Sequence, residues 1–253
     1  MPSLPRTGSR GLDGILFDYG ETLVEFSRPR EALAEAEERI VGALVASGRP
    51  EPAIATLRAI MQRVEREVIE HQRSGALDEI DVVAVSLRAY GDAGLDLDHD
   101  LLDEILRIEQ EAWWHGAHLD PDAIPLLDSL RDRGIRVGLC SNAPYRVESL
   151  HGQLAFLSLE SHLDAVTFSA EVGWRKPSPR IFEAAMGALG TGPERTVMVG
   201  DSEAADIAGA HAVGMHGVLI RRSGTGGSGD ADAVIAALRE LPGALWNMGL
   251  YSE

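Results

Sequence analysis

The sequence predicts an α/β protein in which a parallel sheet carries an all-helical insert after its first strand, and three observations lead there. A short apolar run, "GILF" at residues 14–17, stands ahead of a long stretch of helical texture. Beyond that stretch, β-branched apolar runs alternate with helices, the pattern of parallel strands joined by crossovers. Three of the apolar runs also end on reactive residues: Asp18 after "GILF", Ser141 and Asn142 after "RVGLC", and Asp201 after "TVMVG".

The elements follow in order. The opening "MPSLPRTGSRGLDG" has no apolar stretch of signal-peptide type, so a reducing cytoplasm is the expected setting. After the first strand come "RPREALAEAEERIVGALVASG", "AIATLRAIMQRVEREVIEHQRSG", "DEIDVVAVSLRAYGDAG" and "DHDLLDEILRIEQEAWWHG". Each carries apolar residues at three- and four-residue spacing and is closed by glycine. Residues 27–117 are therefore expected to form a helical domain, with residues 1–26 and 118–253 forming the α/β core. A helix over "DPDAIPLLDSLRDRG" opens the second part of that core, followed by strands at "IRVGLCSN", "AVTFSAE", "TVMVGDS" and "GVLIRR". The stretch "SGTGGSGDAD" at 223–232 reads as a flexible loop before a last helix.

Composition limits the partners. A chain of 253 residues suits one core with a smaller insert, and no apolar run is long enough to cross a bilayer. With 23 basic and 40 acidic residues the net charge is −17, which argues against a nucleic-acid backbone or an anionic membrane surface as partner. A single cysteine, Cys140, excludes an intramolecular disulfide and a thiolate metal cage.

In open α/β sheets ligands sit at the carboxyl ends of the strands. If the three strands are neighbours, Asp18, Ser141 and Asp201 converge on one crevice. Lys176, in "EVGWRKPSPRIF", precedes a proline that forbids helix through it, so its ammonium can reach back to that crevice. Asp206 lies five residues after Asp201, about one and a half turns into a following helix. Taken singly, each is also an ordinary turn or capping residue, or a solvated lysine. It is the ordered set that carries chemistry.

The ordered motifs "FDYGETL", "LCSNAP", "WRKPSPRIF" and "VGDSEAADIAGA" resemble those of the haloacid dehalogenase-like (HAD) hydrolase superfamily, across residues 14 to 222. The likeness is to its phosphatase-type members with a helical C1-type cap between the first and second motifs. It implies a Rossmann-like core with Asp18 as nucleophile, Ser141 holding the transferring phosphoryl group, Lys176 neutralising charge, and Asp201 with Asp206 holding Mg²⁺. The implied activity is Mg²⁺-dependent hydrolysis of a small soluble phosphate through an aspartyl phosphate. The chemistry agrees with those roles. An aspartate that attacks phosphorus splits a hard hydrolysis into two easier steps. Asp18, the carbonyl of Gly20 and Asp201 are the hard oxygen ligands that Mg²⁺ requires. Ser141, Asn142 and the amides opening a helix near "APYRVESL", with Pro144 at its first position, would make an anion cradle.

One residue departs from the resemblance. The family's usual first motif has a second aspartate, as general acid and base, where this chain has Gly20. General acid catalysis is typically worth a factor of about 10² to 10⁴, or roughly 3 to 5 kcal/mol. Esters with poor leaving groups should suffer most. Glu21, one position on, should point away from the place that residue 20 faces. Gly20 also admits two rival readings, a carbon–halogen hydrolase that needs no leaving-group acid and a phosphate-binding or regulatory protein with weakened turnover. A serine esterase built on "GDS" at 200–202 lacks the following Asp-x-x-His, and "GxSxG" is absent. His115 and His118, beside Trp113 and Trp114, read as hinge packing, Tyr19 and Tyr145 as half-buried neighbours of the motifs, and Cys140 as facing the core.

Overall fold

In the computed structural model, which describes residues 11–222 and 229–251, "GILF" is a fully buried strand. Along the chain the strands are β1 (Gly14–Phe17), β2 (Val24–Phe26), β3 (Ala117–Leu119), β4 (Arg136–Ser141), β5 (Ala165–Phe168), β6 (Thr196–Gly200), β7 (His216–Ile220) and β8 (Ala233–Ile235). The helices are α1 (Arg30–Ala46), α2 (Ile54–Arg73), α3 (Val82–Asp92), α4 (His99–Trp114), α5 (Ala123–Asp132), α6 (Val147–Phe156), α7 (Ser169–Val172), α8 (Pro179–Leu189), α9 (Ala208–Ala212) and α10 (Leu241–Asn247). None of the helices searched among the described residues is long and apolar enough to cross a membrane.

Six strands form one parallel sheet in the order β5-β4-β1-β6-β7-β8. β1 thus lies between β4 and β6, and the chain reverses its direction of winding there, which opens a crevice at the carboxyl ends of those three strands. Register levels the ends: Phe17 stands opposite both Leu139 and Val199, and the N–H of Asp18 donates to the Val199 carbonyl at 2.8 Å.

Side chains alternate across the sheet. Ile15, Phe17, Val137, Leu139, Val197 and Val199 enter one apolar cluster, which also takes in Leu126 and Leu127 of α5 and Leu150 and Leu154 of α6. Leu16, Cys140 and Met198 enter another with Ile181 and Phe182 of α8. Cys140 is fully buried there, as expected, and burial pushes its thiol up to about 12.

The four helices of the insert have a core of their own. Leu33, Ile40, Leu57, Leu102, Ile105 and Ile108 belong to a cluster drawn wholly from residues 33–112. Truncating Leu102 or Ile105 to alanine should cost about 2–5 kcal/mol. Gly48, Gly75, Gly94 and Gly134 stop their helices with φ near +80° (77 to 81). Gly116 acts differently. A Cβ there would overlap the main chain of Ser27, whose N–H donates to the Gly116 carbonyl at 2.8 Å.

That close approach belongs to an element the helical texture hid. β2 and β3 pair antiparallel, Val24 with Leu119 and Phe26 with Ala117, as a two-stranded ribbon lying across both expected domain boundaries. β8 also escaped the reading, because three residues beside a glycine-rich stretch carry no periodicity; of the expected loop, residues 223–228 lie outside the described residues. Pro144 is not the first residue of a helix, since α6 begins at Val147.

Candidate active site

At the crevice, β1 delivers Asp18 and the loop ahead of α8 delivers Lys176. The Lys176 ammonium donates to Asp18 Oδ1 and to Asp206 Oδ1, both at 2.6 Å, and Lys176 is 4% exposed. Burial works against its charge, but Asp18 and Asp206 outweigh that and hold it above the ordinary lysine range. Asp18 Oδ1 is thereby fixed and its second oxygen is left for chemistry.

Asp206 holds the lysine from the other side. Residues Glu203–Ile207 form a wide π-type turn rather than the first turns of a regular helix. The turn draws the Asp206 carboxylate back against Gly200, where a Cβ would overlap it. Its Oδ2 accepts from the Ser202 N–H at 2.9 Å while Oδ1 holds Lys176, so both oxygens have partners. Asp206 thus positions the lysine. Asp201, by contrast, is exposed; burial and the charges of Asp18 and Asp206 raise its carboxyl to about 6. Carboxylate oxygens of Asp18, Asp201 and Asp206 lie within 4.8 Å of one another. This crowding of hard oxygens fits a divalent cation such as Mg²⁺.

Asn142 is also corrected. Its Nδ2 donates to the Lys176 carbonyl at 3.1 Å and its Oδ1 accepts from the Lys176 N–H at 2.6 Å, so the amide clamps the lysine's backbone instead of facing an anion. The expected amide cradle shrinks too. The N–H of Ala143 donates to Ser169 Oγ at 2.7 Å and that of Arg146 to Gln110 Oε1 at 3.1 Å. Ser141 is buried at the end of β4.

Gly20 has φ outside the left-handed region, and a Cβ on it would meet only the Phe26 ring, at 3.5 Å. Space for a side chain exists. Glu21 carries the unusual backbone, φ 58°, and is exposed. Around them the backbone uses the carbonyls of Tyr19 and Val24, which accept from Val24 and Glu21.

One contributor gave no signal in the sequence. Arg222, at the end of β7, donates to the Thr22 carbonyl at 2.7 Å and forms an ion pair with Asp120 at 2.5 Å. It ties the loop after Asp18 to the base of the β2–β3 ribbon from 200 positions away, a distance no local pattern reveals. The helical insert reaches the same loops. Residues 77–79 run antiparallel to 173–175, with Arg175 N–H on Leu77 O (2.9 Å) and Glu79 N–H on Gly173 O (3.0 Å). Arg146 pairs through two nitrogens with Asp103 of α4.

The remaining candidates are structural. His115 lies edge-on to Phe156 and His118 bonds Ser27 Oγ across the ribbon, so they form no metal pair. Tyr19 is buried between Phe26 and Phe168 with its hydroxyl on Gln153. Ser202 caps the π turn through the Ala205 N–H.

Comparison with known proteins agrees with this geometry. A family model described as haloacid dehalogenase-like hydrolase matches residues 12–214. A glyceraldehyde 3-phosphate phosphatase of Methanopyrus kandleri is 29% identical over 221 residues, 83% of this chain and 84% of that protein. The crystal structure of a HAD phosphatase from Thermococcus onnurineus superposes with a TM-score of 0.58 at 26% identity, covering 92% of this chain and 98% of that one. A 2-haloacid dehalogenase from Pseudomonas syringae pv. Tomato shares the fold with a TM-score of 0.65 at 23% identity, covering 93% and 99%.

Proposed function

The chain belongs to the haloacid dehalogenase-like hydrolase family, and on that premise we propose that it is a Mg²⁺-dependent phosphohydrolase acting on a small soluble phosphate, with residues 27–117 as its cap. The observation that carries the reading is the buried Lys176 ammonium bridging Asp18 and Asp206 beside the open Asp201 carboxylate. The phosphatase named among the relatives supports the reaction class.

The residues divide the work as follows. Ser141 binds a phosphoryl oxygen, and Lys176 offsets the charge between that group and Asp18. Asp18 Oδ2 attacks phosphorus; the P–O bond to the leaving group breaks and an aspartyl phosphate forms. Water then attacks phosphorus and the Asp18 carboxylate is released with inorganic phosphate. Asp18, the Gly20 carbonyl and Asp201 are the oxygens that would hold Mg²⁺, which when bound supplies positive charge at the transferring group. Gly20 provides no proton to the leaving oxygen, so leaving groups that depart as stable anions are favoured.

The test is a phosphatase screen over phosphorylated metabolites and an aryl phosphate, with Mg²⁺ and with chelator. Turnover that Mg²⁺ restores, and that Asp201→Ala loses, supports the reading. A second reading, carbon–halogen hydrolysis, draws on Gly20 and on the shared dehalogenase fold. It expects halide release from haloacids that ignores the chelator, and that result would replace the first reading.

A further inference from the structure

Where the family's usual first motif has its general acid, this chain has a glycine, and an aromatic ring stands in front of it. A Cβ on Gly20 would meet Cε2 of Phe26 at 3.5 Å and Cδ2 at 3.8 Å. Gly20 lies two residues beyond Asp18, and its carbonyl is among the oxygens proposed for Mg²⁺. A bridge between Gly20 and Val24 brings β2 onto the same loop. The Phe26 ring therefore borders the place from which an acid at position 20 would serve the leaving group.

The exposure of Phe26 is on the inner side of the ribbon. In β2, Val24 and Phe26 stand on one face and Glu25 on the other. Val24 is fully buried in the cluster that holds Tyr19 and Leu23, while Glu25 turns to Arg222, 3.7 Å away. Phe26 thus faces inward, edge-on to the buried Tyr19 ring with centroids 5.8 Å apart, yet it is 41% exposed. Across the ribbon its partner is the small Ala117, which covers little of it. An inward-facing ring that the core leaves open, set against the loop of the nucleophile, is the informative kind of exposed apolar surface.

Gly20 leaves the departing oxygen without a proton donor, and Phe26 gives the departing group an apolar wall. One kind of ester meets both conditions, that in which the leaving oxygen is bonded to a flat unsaturated ring. When its P–O bond breaks, the electron pair stays on that oxygen and is delocalised into the ring, so the anion departs first and takes its proton from solvent afterwards. The same ring can pack edge-on or offset against Phe26, the arrangements that aromatic pairs favour. An acyl phosphate meets the first condition and makes no use of the second. We propose that Phe26 is a specificity-determining residue of this enzyme and that its substrate is an aryl phosphate whose ring lies against Phe26. The proposal rests on the phosphohydrolase reading for its phosphate end and narrows the leaving group.

The experiment compares ligands with and without a ring. Binding of phenylphosphonate and methylphosphonate to the full chain with Mg²⁺ is measured by calorimetry. Alongside it, kcat/KM is measured for phenyl phosphate and for acetyl phosphate, which needs no leaving-group acid and carries no ring. Phenylphosphonate should bind wild type about tenfold more tightly than methylphosphonate; Phe26→Ala should bring that ratio towards one, and Phe26→Tyr, which keeps a ring, should retain it. The kcat/KM ratio of phenyl to acetyl phosphate should fall about tenfold in Phe26→Ala, through KM. A wild-type phosphonate ratio of one or less overturns the proposal. So does an equal loss of both phosphonates in Phe26→Ala, which would make Phe26 a packing residue for Tyr19. If acetyl phosphate is turned over while the phosphonate ratio is one, the hydrolase reading stands and this proposal alone falls. If no ester is turned over, the phosphonate ratio still decides. Should circular dichroism show Phe26→Ala unfolded, Phe26→Leu, which fills much of the space without a ring, takes its place and should lower the ratio in the same direction.

Discussion

Two groups of carboxylates, one on the sheet and one on the insert, differ in what balances them. On the sheet, Asp18 and Asp206 are held by a buried ammonium that the chain itself supplies through Lys176. On the insert, Glu65, Glu79 and Glu109 make no ion pair among the described residues. A built-in counter-charge fixes the geometry of the two carboxylates whatever is bound. A missing one leaves charge to solvent or to burial. The comparison separates acids whose charge the fold itself balances from acids whose charge it leaves open.

The largest expected contrast comes from isosteric amides. Asp18→Asn should lower kcat by about a thousandfold or more while circular dichroism and phosphate binding stay close to wild type, because only the nucleophile is lost. Residual turnover above that level would remove Asp18 from its role.

Taking away the built-in cation tests the sheet cluster directly. Lys176→Met leaves two buried carboxylates facing each other and should destabilise the protein by about 3–5 kcal/mol, with turnover lost. Denaturant melts should show the deficit shrinking as pH falls, because protonating either acid relieves the repulsion. A variant as stable as wild type at neutral pH would mean that the ion triad contributes nothing.

Gly20→Asp is smaller and opposite in sign. With room beside Phe26 and no left-handed backbone to oppose it, the substitution should raise kcat about tenfold on a phosphomonoester with an alkoxide leaving group and change an aryl phosphate little. Equal gains on both esters would point to stability or metal affinity instead of proton donation.

The smallest effect probes the insert. Glu109 is raised to about 7 in the folded protein, so its contribution to stability is fully present below its unfolded value and lost as pH rises through about 7. Glu109→Gln should therefore melt about 2 °C higher than wild type above pH 7, and the advantage should vanish towards pH 5. A difference that does not depend on pH would place the effect in packing rather than charge.

How much of this was legible follows from the range of each signal. Alternating and helical periodicities are local, so β1, β4 to β7 and the helices of the insert could be read from "GILF", "RVGLC" and their neighbours. The ribbon could not, because Val24–Phe26 and Ala117–Leu119 are three residues each and are made strands only by pairing across the whole insert. Asp18, Ser141, Lys176 and Asp201 could be placed at one crevice because strand ends and a Lys-Pro step announce themselves. The protein partners of Asn142 and Asp206 could not be read, since an amide or a carboxylate looks the same in sequence whether it meets ligand or protein.

The sequence by itself determined the layered α/β architecture, the helical insert and the place of Asp18 at a strand end, because periodicity and strand-end chemistry are properties of neighbouring residues. Only the tertiary structure decided which acids Lys176 neutralises and which stay unpaired, that Asn142 clamps the lysine's backbone, and that Arg222 anchors the first loop. Those are contacts between residues 30 to 200 positions apart, and charge balance depends on distance in space, which the order of residues along a chain does not encode.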